Sequence, residues 1–199
     1  MAVSHVRDDL IKSGLDVLKH SGYAGTGVQA ILSASGAPRG SFYNYFTSKE
    51  DFFIVAIEHA YRENEATFRR HLGRSGVRPL SRLKAYFKEE IGLFEDERWS
   101  GGCLLGTIGQ ETADQGGALR KLVQRLFEEW RQLIEGCLRE AQETGNLGGG
   151  HDLAELSGYI LGSWQGALLR MKVDKSPAPL HAFLRVTFTC VLTADRIMS

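Results

Sequence analysis

Apolar residues recur at helical spacing along almost the whole chain, and no segment alternates with the two-residue period of a strand. Leu10, Ile11, Leu15 and Leu18, with Gly14 among them, mark a first helix that closes near Ser21-Gly22. Thr26 is placed to cap a second helix that turns Val28, Ile31 and Leu32 inward, and Gly36 supplies the turn that ends it. Pro38 stands at the first position of a short third helix, where proline is tolerated. Phe42 and Phe46, four residues apart, share that helix's buried face. Gly40, Ser41 and Asn44 then point away from the core, with Tyr43 and Tyr45 on the flanks. Ser48 and Asp51 form a capping box with Asp in place of Glu, opening a longer helix to about His71.

The composition changes at GRSGVRP, residues 73–79, which reads as a loop and a domain boundary. Two units follow, residues 1–72 and 73–199. Beyond the loop, Leu83, Phe87, Ile91 and Phe94 stripe a helix from Leu80 to about Phe94. WSGG at 99–102 breaks the chain, and a short helix runs from about Cys103 to Ala113. Leu119, Leu122, Val123, Leu126, Phe127, Trp130, Leu133, Ile134, Cys137, Leu138 and Ala141 then define one amphipathic helix, roughly 35–40 Å long. GNLGGG at 145–150 connects it to helices at about 152–172 and 178–196. These last two are apolar on more than one side. Leu156, Tyr159, Ile160, Trp164, Leu168 and Met171 form one stripe, and Leu161 and Leu169 lie off it. A second apolar face needs a second cover, and the same pair of helices from another subunit provides it. The expectation is an all-α protein of about nine helices.

Charge narrows the functional classes. The 199 residues carry 24 basic and 24 acidic side chains, so bulk electrostatic binding of nucleic acid is excluded. Residues 1–50 are nearly balanced as well: Arg7, Lys12, Lys19, Arg39 and Lys49 stand against Asp8, Asp9, Asp16 and Glu50. A DNA reader of this composition needs a small local footprint and two copies of it. No apolar run reaches membrane-spanning length, and the N-terminus lacks a signal-peptide core. Three widely spaced cysteines, Cys103, Cys137 and Cys190, form neither a disulfide framework nor a zinc site, which points to a reducing, cytoplasmic setting. The histidines show no metal-ligand spacing, and no cofactor is implied.

A helix that enters the major groove needs a short exposed face on a rigid support, and residues 26–46 have both. Gly40 and Ser41 let the backbone approach closely. Arg39 and Asn44 suit hydrogen bonds to base edges. Tyr43, Tyr45, Lys49 and Thr26 suit phosphate contacts. The run Thr26, Val28, Ile31, Gly36, Gly40, Ser41, Phe42, Tyr43, Tyr45, Phe46, Ser48, Lys49 and Glu50 resembles the TetR family of transcriptional repressors over about residues 5–60. The resemblance implies a three-helix helix-turn-helix domain, a connecting fourth helix, and a C-terminal ligand-binding and dimerisation domain. It implies DNA contacts at Arg39, Gly40, Ser41, Tyr43, Asn44, Tyr45 and Lys49. Two departures stand out: Gly27 replaces a hydroxyl residue common after Thr26, and Asp8-Asp9 replaces a basic arm.

Trp99 to Glu111, W-S-G-G-C-L-L-G-x-x-x-x-E, is similar to a stretch of a TetR subgroup that includes the electrophile-sensing repressor of N-ethylmaleimide reductase. Cys103 follows two glycines at a helix start, where a thiolate is stabilised, and Lys172 supplies a cation if helix 152–172 packs nearby. Cys103 also reads as a small apolar gap-filler, and both readings stand. Cys137 and Cys190 read as core. Phe87, Phe94, Trp130, Tyr159 and Trp164 are candidate pocket residues beside Cys103 for a small hydrophobic, aromatic or electrophilic effector.

The leading expectation is therefore a homodimeric repressor, paired through its last two helices, that binds a palindromic double-stranded operator and is released by an effector. It is not an enzyme and has no membrane partner. A helical small-molecule carrier or cysteine-dependent enzyme without DNA binding is the alternative. A protein-interaction module using the apolar faces of 152–196 is a third.

Overall fold

The computed structural model describes residues 2–115 and 117–192, with side chains from His5 onward. The described chain is all helical. Its α-helices are α1 (Ala2–Gly25), α2 (Val28–Ser35), α3 (Lys49–Leu72), α4 (Pro79–Asp96), α5 (Leu104–Thr112), α6 (Gly117–Glu143), α7 (Leu153–Asp174) and α8 (Ala178–Val186). A 3₁₀ turn at Phe42–Asn44 and a π-type turn at Thr187–Val191 complete the order.

The chain forms two compact units. Among the described residues, one unit holds residues 2–64 with Leu104–Leu126; the other holds Glu65–Cys103 with residues 127–192. α3 and α6 each contribute to both. The short helix α5, expected in the C-terminal domain, packs on α1 in the first unit.

In the first unit α1 packs on α2 and on α5. Leu10, Leu18, Ile31, Phe42, Phe52 and Phe53 are fully buried. Phe52 is the hub: its ring lies 5.4 Å from Phe42, 4.9 Å from Phe46 and 5.1 Å from Phe53 between centroids. Gly14 makes room for it, since a Cβ there would lie 2.3 Å from Phe52 Cζ. α2 ends as the glycine turn requires, with Gly36 at φ 66° in the left-handed region. α3 is capped by Ser48, whose Oγ accepts from the Asp51 N–H at 3.0 Å. Asp51 closes the box one residue early, accepting from the Thr47 N–H at 2.8 Å.

In the second unit α8 packs on α4 and α7. Phe87, Trp164 and Phe183 form an aromatic cluster with centroids 5.0–5.2 Å apart. Arg82 is almost fully buried; it donates to the Leu72 carbonyl at the end of α3 and to Glu140 on α6. Arg131 on α6 binds Glu128, Glu135 and the Ser157 hydroxyl of α7. Asp152 caps α7, accepting from Ala154 and Glu155 N–H groups. Cys137 is core as expected: its thiol donates to the Pro79 carbonyl, and burial pushes its pKa up to about 12. Cys190 is not core but exposed. The last helix, expected over 178–196, is α8 followed by the π-type turn; residues 193–196 lie outside the described residues.

Candidate DNA interface and effector region

The expected recognition helix is shorter and tighter than its sequence pattern suggested. Between Pro38 and Phe46 the backbone closes mainly through three-residue hydrogen bonds: Ser41 N–H to Pro38 O, Asn44 N–H to Ser41 O, and Tyr45 N–H to Phe42 O. Only the Phe46 N–H to Phe42 O bond has α-helical reach. The cause is local. Gly40, Ser41 and Asn44 are weak helix formers, and nine residues are too few to offset the cost of nucleation. Tertiary packing holds the segment instead, through Phe42 (fully buried) and Phe46 (2% exposed).

That anchoring leaves one polar edge outward. Tyr43 is 67% exposed, and Arg39, Gly40 and Asn44 are exposed beside it. Ser41 and Tyr45 are half-buried, and the Ser41 hydroxyl is turned back to the Pro38 carbonyl at 2.7 Å. Two expected contacts face inward. Thr26 is fully buried and donates to the Gly22 carbonyl at 2.7 Å; Gly27, not Thr26, occupies the cap position of α2. The Lys49 ammonium donates to the Tyr23 carbonyl at 2.6 Å and lies 4.4 Å above the Tyr23 ring. Desolvation lowers the Lys49 pKa, and the Glu111 carboxylate partly opposes that shift. Arg7, missed as a site residue, brings its guanidinium 5.8 Å from the Phe46 ring, beside the recognition turn. Its signal in the sequence was one basic residue ahead of the acidic pair.

The effector candidates do not form one group. Phe87 and Trp164 stack in the aromatic cluster, and Trp130 is buried with its indole N–H unpaired among the described residues. Phe94 and Cys103 are half-buried. Tyr159 is 52% exposed, because it lies to one side of the buried face of α7 that holds Ile160 and Trp164. The loop into Cys103 carries Arg98 and Trp99 at φ 51° and 60°, a region that bulky side chains rarely occupy. Lys172 does approach: its Cδ is 3.8 Å from the position a Cβ would take on Gly102.

Two family models match this architecture. Residues 10–56 match "Bacterial regulatory proteins, tetR family", and residues 79–187 match "Tetracyclin repressor-like, C-terminal domain". The chain belongs to the TetR family. It is similar to the HTH-type transcriptional repressor DhaR of Mycobacterium sp. (strain GP1), at 35% identity over 100% of this chain and 98% of the relative. It is also similar to the transcriptional regulator AcuR of Cereibacter sphaeroides, at 35% identity over 92% of this chain and 83% of the relative. A regulatory protein TetR from Rhodobacter sphaeroides has a similar solved structure, with TM-score 0.85, 33% identity, and coverage of 90% of this chain and 95% of that one. The reduced form of E. coli NemR shares the fold at TM-score 0.81. This TetR-family protein is thus a DNA-binding transcriptional regulator, and its relatives are regulators rather than enzymes. No helix among the described residues is long and apolar enough to cross a membrane.

Proposed function

We propose that this TetR-family protein is a homodimeric repressor that reads a palindromic operator and is released by a small hydrophobic, aromatic or electrophilic effector. The exposed edge of Arg39, Gly40, Tyr43 and Asn44 on a buried aromatic support carries the DNA half of this reading. Arg39 and Asn44 reach base edges, while Tyr43, Tyr45 and Arg7 fix the register on phosphates. Lys49 and Thr26 act behind this edge, shaping the peptide that leads into α2. Replacing Tyr43 and Asn44 together by alanine removes specific retention on a palindromic fragment from beside the gene and leaves the helical circular dichroism intact. Undiminished retention of that fragment would sink the assignment.

Dimerisation through α7 and α8 is supported by an apolar face that the protomer leaves open. Tyr159, Leu169 and Val173 are at least half exposed on α7, and Val186 is exposed on α8. Gly162 and Gly166, between them, have open space beyond their Cα atoms, which suits close helix approach.

Effector binding is assigned to the second unit, whose buried aromatic residues include Phe87, Trp164 and Trp130. Phe94 and Cys103 extend that region toward the surface, and Tyr159 belongs to the dimer face instead. An electrophile has a nucleophile in Cys103, which is half-buried at the start of α5. Release from DNA by N-ethylmaleimide is expected to be lost in Cys103→Ser, as read by fluorescence anisotropy on operator DNA. Equal release of wild type and variant would leave only a non-covalent effector.

A further inference from the structure

We propose that Glu111 is the positioning residue through which α5 holds the recognition motif in its DNA-reading orientation, so that the state of α5 and the grip on operator form one coupled equilibrium. The proposal rests on the operator-binding reading above.

α1 is not one uninterrupted helix. At Gly22 the backbone leaves helical space, with φ 69° and ψ 179°, and one further turn runs to Gly25 before α2 begins. A helix that restarts this way presents amide donors without helical partners. Both oxygens of the Glu111 carboxylate take them: Oε1 accepts from the Tyr23 N–H at 3.1 Å and Oε2 from the Ala24 N–H at 2.8 Å. The break and the clasp require each other. A Cβ on Gly22 would lie 2.3 Å from Glu111 Oε1, and the positive φ would strain any residue that carried one.

The same peptide is held from its other side. Lys49, the first residue of α3, donates to the Tyr23 carbonyl, and the buried Thr26 hydroxyl donates to the Gly22 carbonyl. Residues 22–26, the only covalent lead into α2 and the recognition turn, are therefore gripped by α5 and α3 at once. The grip from α5 is a single charged side chain reaching 87–88 residues back along the chain. A second tie from the same part of the chain meets the start of α3, where Glu50 Oε1 accepts from the Leu119 N–H at 3.3 Å. α5 begins at Leu104, directly after Cys103. A shift or rotation of α5 that withdraws Glu111 leaves two amides without their acceptor and the Lys49 ammonium without its neighbouring carboxylate, though Lys49 keeps the Tyr23 carbonyl. The entry angle of α2 is then no longer fixed.

Coupling of this kind is reciprocal, so DNA must be felt at the start of α5. The test uses the full-length protein in a Cys190→Ser background and operator DNA selected from a random library by the wild type. The rate at which Cys103 reacts with dithiobis(nitrobenzoic acid) is measured with and without saturating operator; Cys137 is silent because it is buried. In the wild type, operator changes the rate by about fivefold or more. In Glu111→Ala that ratio falls to about one, and operator affinity drops about tenfold, with dimer size and helix content unchanged. Glu111→Gln, which keeps one acceptor, lies between the two and serves if the alanine variant folds poorly. Gly22→Ala expels the same carboxylate, so combining it with Glu111→Ala adds little further loss. A wild-type rate indifferent to operator overturns the coupling, as does a Glu111→Ala variant with the wild-type ratio. Failure of the wild type to select any DNA is a distinct result and counts against operator binding itself.

Discussion

Gly162→Arg is expected to convert the protein to monomers and to weaken operator binding by a factor of about 10² to 10⁴, the advantage ordinarily gained when two half-sites are engaged at once. The protomer itself tolerates the change. A Cβ at Gly162 meets nothing within 4 Å, and arginine favours a helix interior over glycine by about 1 kcal/mol. The charge arrives in the middle of an apolar face bounded by Tyr159, Leu169 and Val173, the last 68% exposed. In a dimer closed on this face the guanidinium is buried without a partner and the backbones are forced apart. Sedimentation velocity separates the two states, and operator titration reads the consequence. A variant that remains dimeric places the interface elsewhere.

Phe52→Ala is expected to be the most damaging substitution in the DNA-reading unit, costing about 3–5 kcal/mol of its stability. The ring is fully buried and touches the rings of Phe42, Phe46 and Phe53, so its removal leaves a cavity bounded by three aromatic faces. Gly14 cannot close the gap, because it has no side chain to move into the vacated space. Phe42 and Phe46 are also what fixes the recognition turn, which has little helical hydrogen bonding of its own. Operator binding therefore fails together with the unit's fold. Urea denaturation followed by tyrosine fluorescence measures the first effect, and anisotropy on operator DNA the second. A loss below about 1 kcal/mol would mean that the aromatic hub repacks.

Much of this was legible in the sequence because it depends on local spacing. The Phe42–Phe46 pair, the glycine turn at Gly36 and the cap at Ser48 follow from i, i+4 geometry and backbone preference alone. Spacing is silent where a side chain's partner decides its place. Thr26 and Lys49 have the right chemistry for phosphate, and in the folded chain they donate to the carbonyls of Gly22 and Tyr23. Tyr159 continues an apolar stripe in the sequence, yet it stays half exposed beside the buried face that holds Trp164. Glu111 closed a noted pattern without an assigned role, because its amide partners lie nearly ninety residues upstream. The recognition helix was over-extended because apolar periodicity does not distinguish an α-helix from a tighter turn pinned by two phenylalanines.

The pinning of that turn bears on how new specificities arise. Arg39, Tyr43 and Asn44 lie outward, while Phe42, Phe46 and Phe52 hold the segment from within. On the proposed reading, substitutions at Arg39 and Asn44 are expected to change which bases are favoured without taxing the fold, so a duplicated gene would drift to a new operator in single steps. A library randomised at positions 39, 43 and 44 should consequently yield mostly folded proteins with divergent DNA preferences.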